Sequence, residues 1–382
     1  MSVFAPLWRV SLRSSLLLLP VLAGCGLFSP SITKLAALPD IKPQVSLKTV
    51  WQASVGKSGG YLFSPAVDGD AVLVAGMDGQ ITSLEAGTGR TRWKADVGQT
   101  LSGGVGAGAG MVLAATAKGE LVAFDRSGKP LWRAQLAGEV LAPPVVEGNI
   151  VIGRTADGRV FGLSAADGTR KWVYQRTLPA LTLRSGAGIQ LGRGGAFLGM
   201  AGGLVAALDP DSGRVWWEVT IAQPRGSTEL ERIADVASLP AVSDQQVCAV
   251  AYQGRVACLD GKSGTLNWAK DLSSSAGLAL DERHVYVPDD GGVVLALDLR
   301  TGASVWKQDA LAGRRLSAPL VLGRHVLVGD AQGYVHVLSS DNGALIGRLA
   351  TDGSAISVPL QATGNHVLVQ TRAGGVYALS LN

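Results

Sequence analysis

Residues 292–306 read GVVLALDLRTGASVW, and this stretch decides the fold because similar stretches recur along the chain. It begins with a turn glycine, Gly292, followed by a short apolar strand and a polar turn that ends in Gly302. Trp306 comes four residues after that second glycine. Self-similarity at a regular spacing indicates a repeat architecture.

The turn glycine marks eight copies of the repeat. Its positions are Gly79, Gly119, Gly158, Gly203, Gly254, Gly292, Gly333 and Gly375. Six copies place a tryptophan thirteen or fourteen residues later, at Trp93, Trp132, Trp172, Trp217, Trp268 and Trp306. The seventh copy has Gly347 at that position. Two further short apolar strands precede each turn glycine, so each repeat of about 40 residues predicts a four-stranded antiparallel blade.

The two chain ends together complete the eighth blade. The eighth copy stops at Asn382, before any tryptophan strand, whereas residues 50–56 around Trp51 repeat that strand at the other end. Pairing them would remove the open edge between the first and last repeats. The sequence therefore predicts an all-β, eight-bladed β-propeller over residues 47–382. The repeated tryptophans are expected to pack between adjacent blades.

The N-terminus has the layout of an export signal. Arg9 and Arg13 precede an apolar run from Leu16 to Leu22, too short to span a bilayer. The run ends in Leu-Ala-Gly-Cys25, which resembles the bacterial lipobox, whose cysteine is acylated after cleavage. We expect a signal peptide at 1–24 and a lipidated Cys25 that begins a proline-containing tether over 25–46. An ordinary secretory signal with an accidental cysteine is the alternative.

Composition and motif searches exclude several function classes. The formal charge of +4 includes Arg9 and Arg13, which leaves +2 for the mature chain and predicts no nucleic-acid partner. The four histidines lie in separate contexts without metal-ligand spacing, and no GxSxG elbow or dinucleotide motif is present. The sequence predicts no cofactor, no metal site and no enzyme activity.

Two cysteines remain beside Cys25. Cys248 and Cys258 are ten residues apart, on either side of the predicted hairpin turn at Gly254. In an oxidising compartment this arrangement is compatible with a cross-strand disulfide. Two free buried thiols are the alternative, and the sequence does not separate them.

The repeat of Leu-Asp, polar turn, glycine and tryptophan resembles the PQQ-type propeller repeat over residues 50–382. The lipobox, the length and two local segments are similar to the BamB family, lipoproteins of the outer-membrane β-barrel assembly (BAM) machinery. This resemblance implies a scaffold, not an enzyme. It also implies outer-membrane anchoring, because Gly26 replaces the aspartate that retains lipoproteins at the inner membrane, and a domain that faces the periplasm.

The first segment, Leu178–Ser185, is similar to the family's loop of two alternating leucines and an arginine that contacts BamA, which implicates Leu181, Leu183 and Arg184. The second, residues 225–236, lengthens one repeat and ends near Asp235. Asp235 matches the first of two family acids, but Ala237 replaces the second. The resemblance implies that the partners are the periplasmic POTRA domains of BamA and the other BAM components. Unfolded β-barrel clients are a further expectation.

Each of these residues also has a purely structural interpretation. Leu181 and Leu183 are equally compatible with an ordinary core strand, and Arg184 and Asp235 with solvated surface charges. For the whole chain, the alternatives are a propeller that binds a small ligand or a polysaccharide, and a PQQ-dependent dehydrogenase. The dehydrogenases resemble this chain in the repeat alone, because the adjacent cysteine pair and the calcium ligands that they carry are absent here.

Overall fold

The computed structural model describes residues 1–3 and 35–382. Residues 35–382 contain eight sheets, each of four antiparallel strands in sequential order except for the sheet that joins the two chain ends. Each sheet shares a hydrophobic cluster with the sheet on either side, as expected for blades arranged in a ring. The prediction of an eight-bladed propeller is confirmed. Cys25 and residues 4–24 of the predicted signal peptide lie outside the described residues.

The first strand of the chain, β1 (Leu47–Ser54), belongs to blade 8. Blades 1 and 2 consist of β2 (Ala66–Asp68), β3 (Ala71–Ala75), β4 (Gln80–Glu85), β5 (Thr91–Asp96), β6 (Leu101–Gly108), β7 (Met111–Thr116), β8 (Glu120–Asp125) and β9 (Pro130–Gln135). Blades 3 and 4 consist of β10 (Val145–Glu147), β11 (Ile150–Arg154), β12 (Val160–Ser164), β13 (Arg170–Tyr174), β14 (Ile189–Gly192), β15 (Gly195–Gly199), β16 (Leu204–Leu208) and β17 (Val215–Thr220). A single 3₁₀ turn, Ala201–Gly203, links β15 to β16.

The remaining strands follow the same plan. Blades 5 and 6 consist of β18 (Ala241–Val242), β19 (Gln246–Val250), β20 (Arg255–Asp260), β21 (Leu266–Asp271), β22 (Ala279–Leu280), β23 (His284–Pro288), β24 (Val294–Asp298) and β25 (Ser304–Gln308). Blade 7 and the rest of blade 8 consist of β26 (Leu320–Leu322), β27 (His325–Gly329), β28 (Tyr334–Ser339), β29 (Leu345–Ala350), β30 (Gln361–Thr363), β31 (His366–Gln370) and β32 (Gly375–Leu381).

Strand β1 closes the ring by pairing with β32. The two strands are antiparallel, with Trp51 opposite Ala378 and Ser54 opposite Gly375. The backbone amides of Ser46 and Asn382 each donate to the carbonyl of the other residue and extend the ladder beyond the strands. Both chain ends are therefore held in one sheet, as the sequence predicts.

The hydrophobic core is divided into eight clusters, each of which lies between two neighbouring blades. The second and third strands of each blade are buried on both faces, which is why they read as continuous apolar runs. Val326, Leu327 and Val328 illustrate this, because all three are fully buried although successive side chains point to opposite faces. Val326 and Val328 pack towards blade 6, and Leu327 packs towards blade 8.

The repeated tryptophans occupy the predicted place between blades. The indole N–H of Trp268 in blade 5 donates to the carbonyl of Leu299 in blade 6 at 2.8 Å. Its ring lies against Gly302, whose φ of 71° and lack of a side chain allow this close approach. The same two contacts recur for Trp51, Trp93, Trp132, Trp172, Trp217 and Trp306.

Two turn positions differ from the sequence expectation. In the eighth copy the residue in the left-handed region is Gly374, with φ 94°, and Gly375 begins β32. In the fifth copy it is Gln253, with φ 48°, in place of Gly254. A pair of adjacent candidate residues at each turn leaves the sequence ambiguous by one position.

Antiparallel order sorts the loops onto two ends of the ring. The turns between second and third strands share one end with the connections from each blade to the next, and we call this end the connecting face. The other end bears the turns between first and second strands and between third and fourth strands. Among the described residues, no helix has the length and apolar character needed to cross a membrane.

Candidate partner-binding face

The leucine-arginine loop, residues 175–188, is the connection from blade 3 to blade 4 and lies on the connecting face. It contains no regular secondary structure, so the core-strand interpretation of Leu181 and Leu183 is wrong. Leu181 is 42% exposed, and Leu183 is half-buried. The two leucines therefore differ in accessibility, although their alternation predicted one shared face.

Asp235 lies beneath the leucine-arginine loop and not on the protein surface. It is only 3% exposed. One carboxylate oxygen accepts a hydrogen bond from the Leu183 amide at 2.6 Å, and the other accepts from the Gly202 amide at 2.9 Å. The backbone carbonyl of Asp235 accepts from the Tyr252 amide at 2.8 Å. Asp235 therefore joins the leucine-arginine loop to the 201–203 turn of blade 4 and to blade 5.

These hydrogen bonds show that the leucine-arginine loop and the long insertion are neighbours, which the sequence alone leaves open. Asp235 belongs to the long insertion, residues 221–240, which connects blade 4 to blade 5 on the connecting face. The amide of Val236 also donates to the Met200 carbonyl at 3.0 Å. The two segments singled out by the family resemblance thus lie side by side and share one hydrogen-bond network.

Arg154 supports the loop from below. Its guanidinium donates to the carbonyls of Ala187 at 3.0 Å and Gly199 at 2.6 Å. The side chain keeps some exposure, but burial of its charged end lowers the pKa of Arg154 to about 10, against the opposing influence of Tyr174 and Asp235. Even so, the guanidinium stays protonated at neutral pH.

The space between Arg154, Leu183 and Asp235 is a cavity of about 30 Å³. That volume holds one or two water molecules and no larger ligand. Both Asp235 oxygens are engaged by backbone amides, so this carboxylate has no nucleophile or base partner here. In the described part of the chain, no group of three histidine, cysteine or acidic side chains could hold a metal ion. The contacts of Asp235 are therefore structural, because they hold the leucine-arginine loop in place.

Arg184 projects from the same loop and remains accessible. Its guanidinium donates to the Glu139 carboxylate at 2.8 Å and lies 5.4 Å from the centre of the Tyr61 ring. Its side chain is 56% exposed. Ion pairs with this exposure contribute about 0–1 kcal/mol, so Arg184 is free to exchange Glu139 for another acceptor at low cost.

The tip of the long insertion is an ordered turn. The Glu231 carboxylate accepts from the amides of Ser227 at 2.7 Å and Thr228 at 3.1 Å, while the Thr228 hydroxyl accepts from the Glu231 amide. These backbone donors hold the pKa of Glu231 below its usual range. The reciprocal pair resembles a helix capping box and presents Leu230, which is 68% exposed.

Other exposed apolar side chains flank the leucine-arginine loop. Leu62, 44% exposed, lies beside Gly186, and Leu239, 38% exposed, lies beside Gly188. Leu62, Tyr61, Glu139 and Arg154 come from three other segments and were not identified from the sequence. Their only signal is topological, because each belongs to a connection between blades or to the end of a second strand, both of which meet at the connecting face.

The two remaining cysteines lie in blade 5. Cys248 in β19 stands directly opposite Cys258 in β20, with Cα atoms 4.0 Å apart. Both side chains are fully buried, and the structure joins their sulfur atoms. The disulfide stays a prediction for the protein in its oxidising compartment.

A family model described as outer membrane protein assembly factor BamB matches residues 46–101, 77–308 and 290–382. The chain is 44% identical to the curated outer membrane protein assembly factor BamB of Nitrosomonas eutropha over 349 residues, which cover 91% of this chain and 85% of that protein. The predicted resemblance is confirmed over nearly the whole propeller.

Solved structures agree with this assignment. The crystal structure of BamB from Moraxella catarrhalis superposes with a TM-score of 0.81 at 28% identity, covering 88% of this chain and all of that one. The quinohemoprotein alcohol dehydrogenase of Comamonas testosteroni gives a TM-score of 0.70 at 14% identity, covering 87% of this chain and 76% of that one, which shows a shared fold alone. The chain belongs to the family of the outer membrane protein assembly factor BamB.

Proposed function

We propose that this chain is a non-enzymatic scaffold lipoprotein of the BAM complex and that its connecting face binds the periplasmic POTRA domains of BamA. The proposal rests mainly on the Asp235 carboxylate. This side chain of the long insertion accepts hydrogen bonds from the leucine-arginine loop and the 201–203 turn, so the two segments form one surface. Family membership supports the role in outer-membrane protein assembly.

Within this surface the residues have different roles. Leu181 and Arg184 are accessible and provide the contacts with the partner, since arginine is enriched among the residues that dominate binding energy and exposed apolar side chains contribute to interaction surfaces. Leu183 and Asp235 are positioning residues, because the buried carboxylate holds the Leu183 backbone in place. With Ala237 in place of the second family acid, we assign no acidic contact to this end of the insertion.

The shape of the site supports a protein partner. The cavity under the loop is too small for a ligand beyond one or two waters, whereas exposed leucines surround the loop on the outside. A contiguous exposed apolar patch rimmed by polar residues is typical of a protein interaction surface.

Anchoring and location follow from the N-terminal motif. We propose that Cys25 is lipidated, that the lipid inserts in the outer membrane, and that the propeller faces the periplasm. Holding BamA near the membrane would raise the local concentration of the machinery and of any unfolded β-barrel client that it receives. These statements rest on the lipobox in the sequence and on the family assignment.

The proposal is tested by a pull-down from crosslinked membranes of the source bacterium, read by mass spectrometry. We expect the natural protein to recover BamA and a Leu181→Ala, Arg184→Ala variant to recover at least tenfold less, because two central contacts are removed. The matched control is Leu131→Ala, Arg126→Ala on blade 2, whose side chains have comparable exposure away from the connecting face. Recovery of no BamA by the natural protein would refute the scaffold role, and equal recovery by both variants would move the site elsewhere.

The positioning role of Asp235 has a separate readout. An Asp235→Ala variant loses both acceptors, so the amides of Leu183 and Gly202 should exchange with solvent at least tenfold faster. Recovery of BamA should fall less than in the Leu181→Ala, Arg184→Ala variant. Unchanged amide exchange would show that the carboxylate does not hold the loop.

A further inference from the structure

A buried ionic cluster lies on the connecting face of blade 7, away from the leucine-arginine loop. Arg314, Asp330 and His336 are each 1% exposed or less. One oxygen of Asp330 accepts from Arg314 Nε at 2.6 Å and lies 2.9 Å from His336 Nε2. The other accepts from the amides of Gln332 and Tyr334. A charged network of this kind is costly to bury unless every donor has an acceptor.

The N-terminal segment supplies the acceptor that completes this network. The Arg314 Nη2 donates to the Gln332 side chain, and its Nη1 donates to the carbonyl of Ala36 at 3.0 Å. Arg348 donates to the carbonyl of Pro39 at 3.1 Å. Both guanidinium groups lie within 6 Å of the Tyr334 ring, at 5.5 Å for Arg314 and 5.9 Å for Arg348.

The same segment is fixed at its other end to the outer strand of blade 7. The amides of Gln44 and Val45 both donate to the Ile346 carbonyl, at 2.8 Å and 3.2 Å. Val45 fills the space beside Gly347, where a Cβ would lie 2.9 Å from the valine methyl. The amide of Ala36 donates to the Ala312 carbonyl at 3.0 Å. Residues 36–45 therefore run antiparallel to β29 along its outer edge, with Ala36 at the connecting face and Val45 near the opposite end of the ring.

We infer that residues 36–45 form a strap, held by Arg314 and Arg348, which makes the lipid-linked end of the chain leave the propeller from the connecting face. The inference rests on the proposed lipidation of Cys25 and specifies its geometric consequence. Cys25 is eleven residues before Ala36, a span of at most about 40 Å. Without the strap the chain would be free from residue 46, at the opposite end of the ring.

The strap also relates the bilayer to the candidate partner site. In a ring of eight blades, blade 7 stands opposite blade 3, which precedes the leucine-arginine loop. The membrane-linked end and the partner-binding residues thus occupy opposite rims of one face. The connecting face is directed to the membrane side, and BamA is held across the ring from the anchor.

The strap is tested first by amide exchange on the lipidated full-length mature protein in detergent. In an Arg314→Met, Arg348→Met variant, the amides of Ala36 and Gln44 should exchange at least tenfold faster, because two anchoring bonds are lost. The control is Arg324→Met, an exposed arginine of the same blade that pairs with Asp341. Exchange that is unchanged relative to the control would overturn the strap.

A second variant releases the strap without altering the ionic cluster. Gly347→Trp restores the residue that the repeat has elsewhere and places its side chain in the space that Val45 occupies. We expect faster exchange at Gln44 and Val45. This variant decides the matter if the double arginine variant does not fold, and protected amides here would equally overturn the strap.

The orientation of the propeller on a membrane is tested by fluorescence quenching. A dye is attached to a cysteine that replaces one of two lysines in blade 2, and the vesicles contain phosphatidylethanolamine, phosphatidylglycerol and a lipid-attached quencher. Lys118→Cys lies in a turn on the connecting face, and Lys129→Cys lies in a turn at the other end; both lysines are exposed. With the natural strap, we expect about twofold stronger quenching at position 118. In the strap variants the ratio should approach one.

The outcomes separate the strap from the proposal on which it rests. A protein that fails to associate with vesicles contradicts the lipidation of Cys25, while the amide exchange still tests the strap. Equal quenching at both positions with the natural strap overturns the orientation. A ratio that persists after the strap amides are released shows that something other than the strap orients the propeller.

Discussion

Seven junctions between neighbouring blades in residues 35–382 are closed by a tryptophan, whereas the junction between blades 7 and 8 is closed by the strap. At the junction of blades 5 and 6, Trp268 lies on Gly302 and donates to the Leu299 carbonyl. At the junction of blades 7 and 8, Gly347 stands in place of the tryptophan, and Val45 fills the space beside it.

The difference follows from how the ring is closed. Elsewhere the tryptophan rests on the turn between the third and fourth strands of the next blade. Blade 8 has no such turn, because its third strand ends at Leu381 and its fourth strand is β1 from the other end of the chain. A tryptophan at position 347 would therefore have no glycine platform. The tryptophan and the turn therefore form one packing unit, and the strap replaces both at the junction of blades 7 and 8.

The largest effect is expected from removing a docked tryptophan. Trp217→Ala removes a ring that is 7% exposed, its packing in the cluster between blades 4 and 5, and its bond to the Gly261 carbonyl. We expect the free energy of unfolding, measured by chemical denaturation, to fall by about 3–5 kcal/mol. The adjacent Trp216 is 38% exposed, so Trp216→Ala should cost under about 1 kcal/mol. Equal losses would contradict the docking role.

Gly302 and Gly347 should differ in how well they tolerate a side chain. Gly302 has φ 71°, and a Cβ there would overlap the Trp268 ring, so Gly302→Ala combines backbone strain with a clash and should cost about 3 kcal/mol. Gly347 has no left-handed backbone, and a Cβ there would lie 2.9 Å from the Val45 side chain and 3.2 Å from the Val45 carbonyl oxygen, so Gly347→Ala would displace mainly the strap. We expect about 1 kcal/mol there, with faster exchange of the Val45 amide. Denaturation midpoints of the two variants provide the measurement, and a larger loss at Gly347 than at Gly302 would contradict the role of Gly302 as a platform for Trp268.

The fold was predictable because the same sequence pattern recurs in every blade. Each copy places an apolar run, a turn and a tryptophan at the same spacing, and the split eighth copy identifies the ring closure. The strap was not predictable, and residues 25–46 read only as a tether. Arg314 and Arg348 bind backbone carbonyls of Ala36 and Pro39, which any residue would offer, so no side-chain pattern marks the contact.

The candidate site was predictable in its location but not in its internal roles. Leu181 and Arg184 are accessible, as the resemblance implied. Asp235 is buried, because its partners are the amides of Leu183 and Gly202, which lie 52 and 33 residues away along the chain. Sequence spacing does not predict contacts between residues so far apart along the chain. The turn residues Gln253 and Gly374 also show that one-position precision is lost where two adjacent residues suit a turn.

Blade 5 has an additional covalent bond beside its junction with blade 6 if Cys248 and Cys258 are bonded. Cys258 stands opposite Trp268 in the β20–β21 pair, and both cysteines pack in the cluster between these blades. Closing a ten-residue separation stabilises a protein by roughly 2–3 kcal/mol, so a Cys248→Ala, Cys258→Ala variant should lose about that much.

Alkylation in denaturant, with and without reductant, checks this bond. We expect no thiol at position 248 or 258 to be labelled without reductant, and both to be labelled with it. Labelling of both without reductant would contradict the disulfide, and any stability loss in the variant would then come from the small cavities alone.

Acid distinguishes the two kinds of junction. The turns on which tryptophans rest are held by carboxylates such as Asp298 and Asp167. The Thr301 hydroxyl lowers the pKa of Asp298, and the Thr169 hydroxyl lowers the pKa of Asp167 to about 2. Since these pKa values are lower in the folded chain, their contribution is complete above about pH 4 and is lost as the pH falls towards 2. The tryptophan junctions should therefore remain intact throughout the range from pH 7 to 5.

The strap should respond at higher pH. Burial lowers the pKa of His336, with Arg314 and Arg348 acting in the same direction and Asp330 opposing them. A histidine whose pKa is lower in the folded chain stabilises the fold above its unfolded value of about 6.5 and less as the pH falls below it. We expect the Ala36 amide, corrected for intrinsic exchange, to lose protection between pH 6.5 and 5, while the Trp268 indole N–H stays protected. In His336→Gln, which cannot titrate, the Ala36 response should disappear. A parallel loss at both positions would show that the ring opens as one unit and that the strap is no weaker than a docked tryptophan.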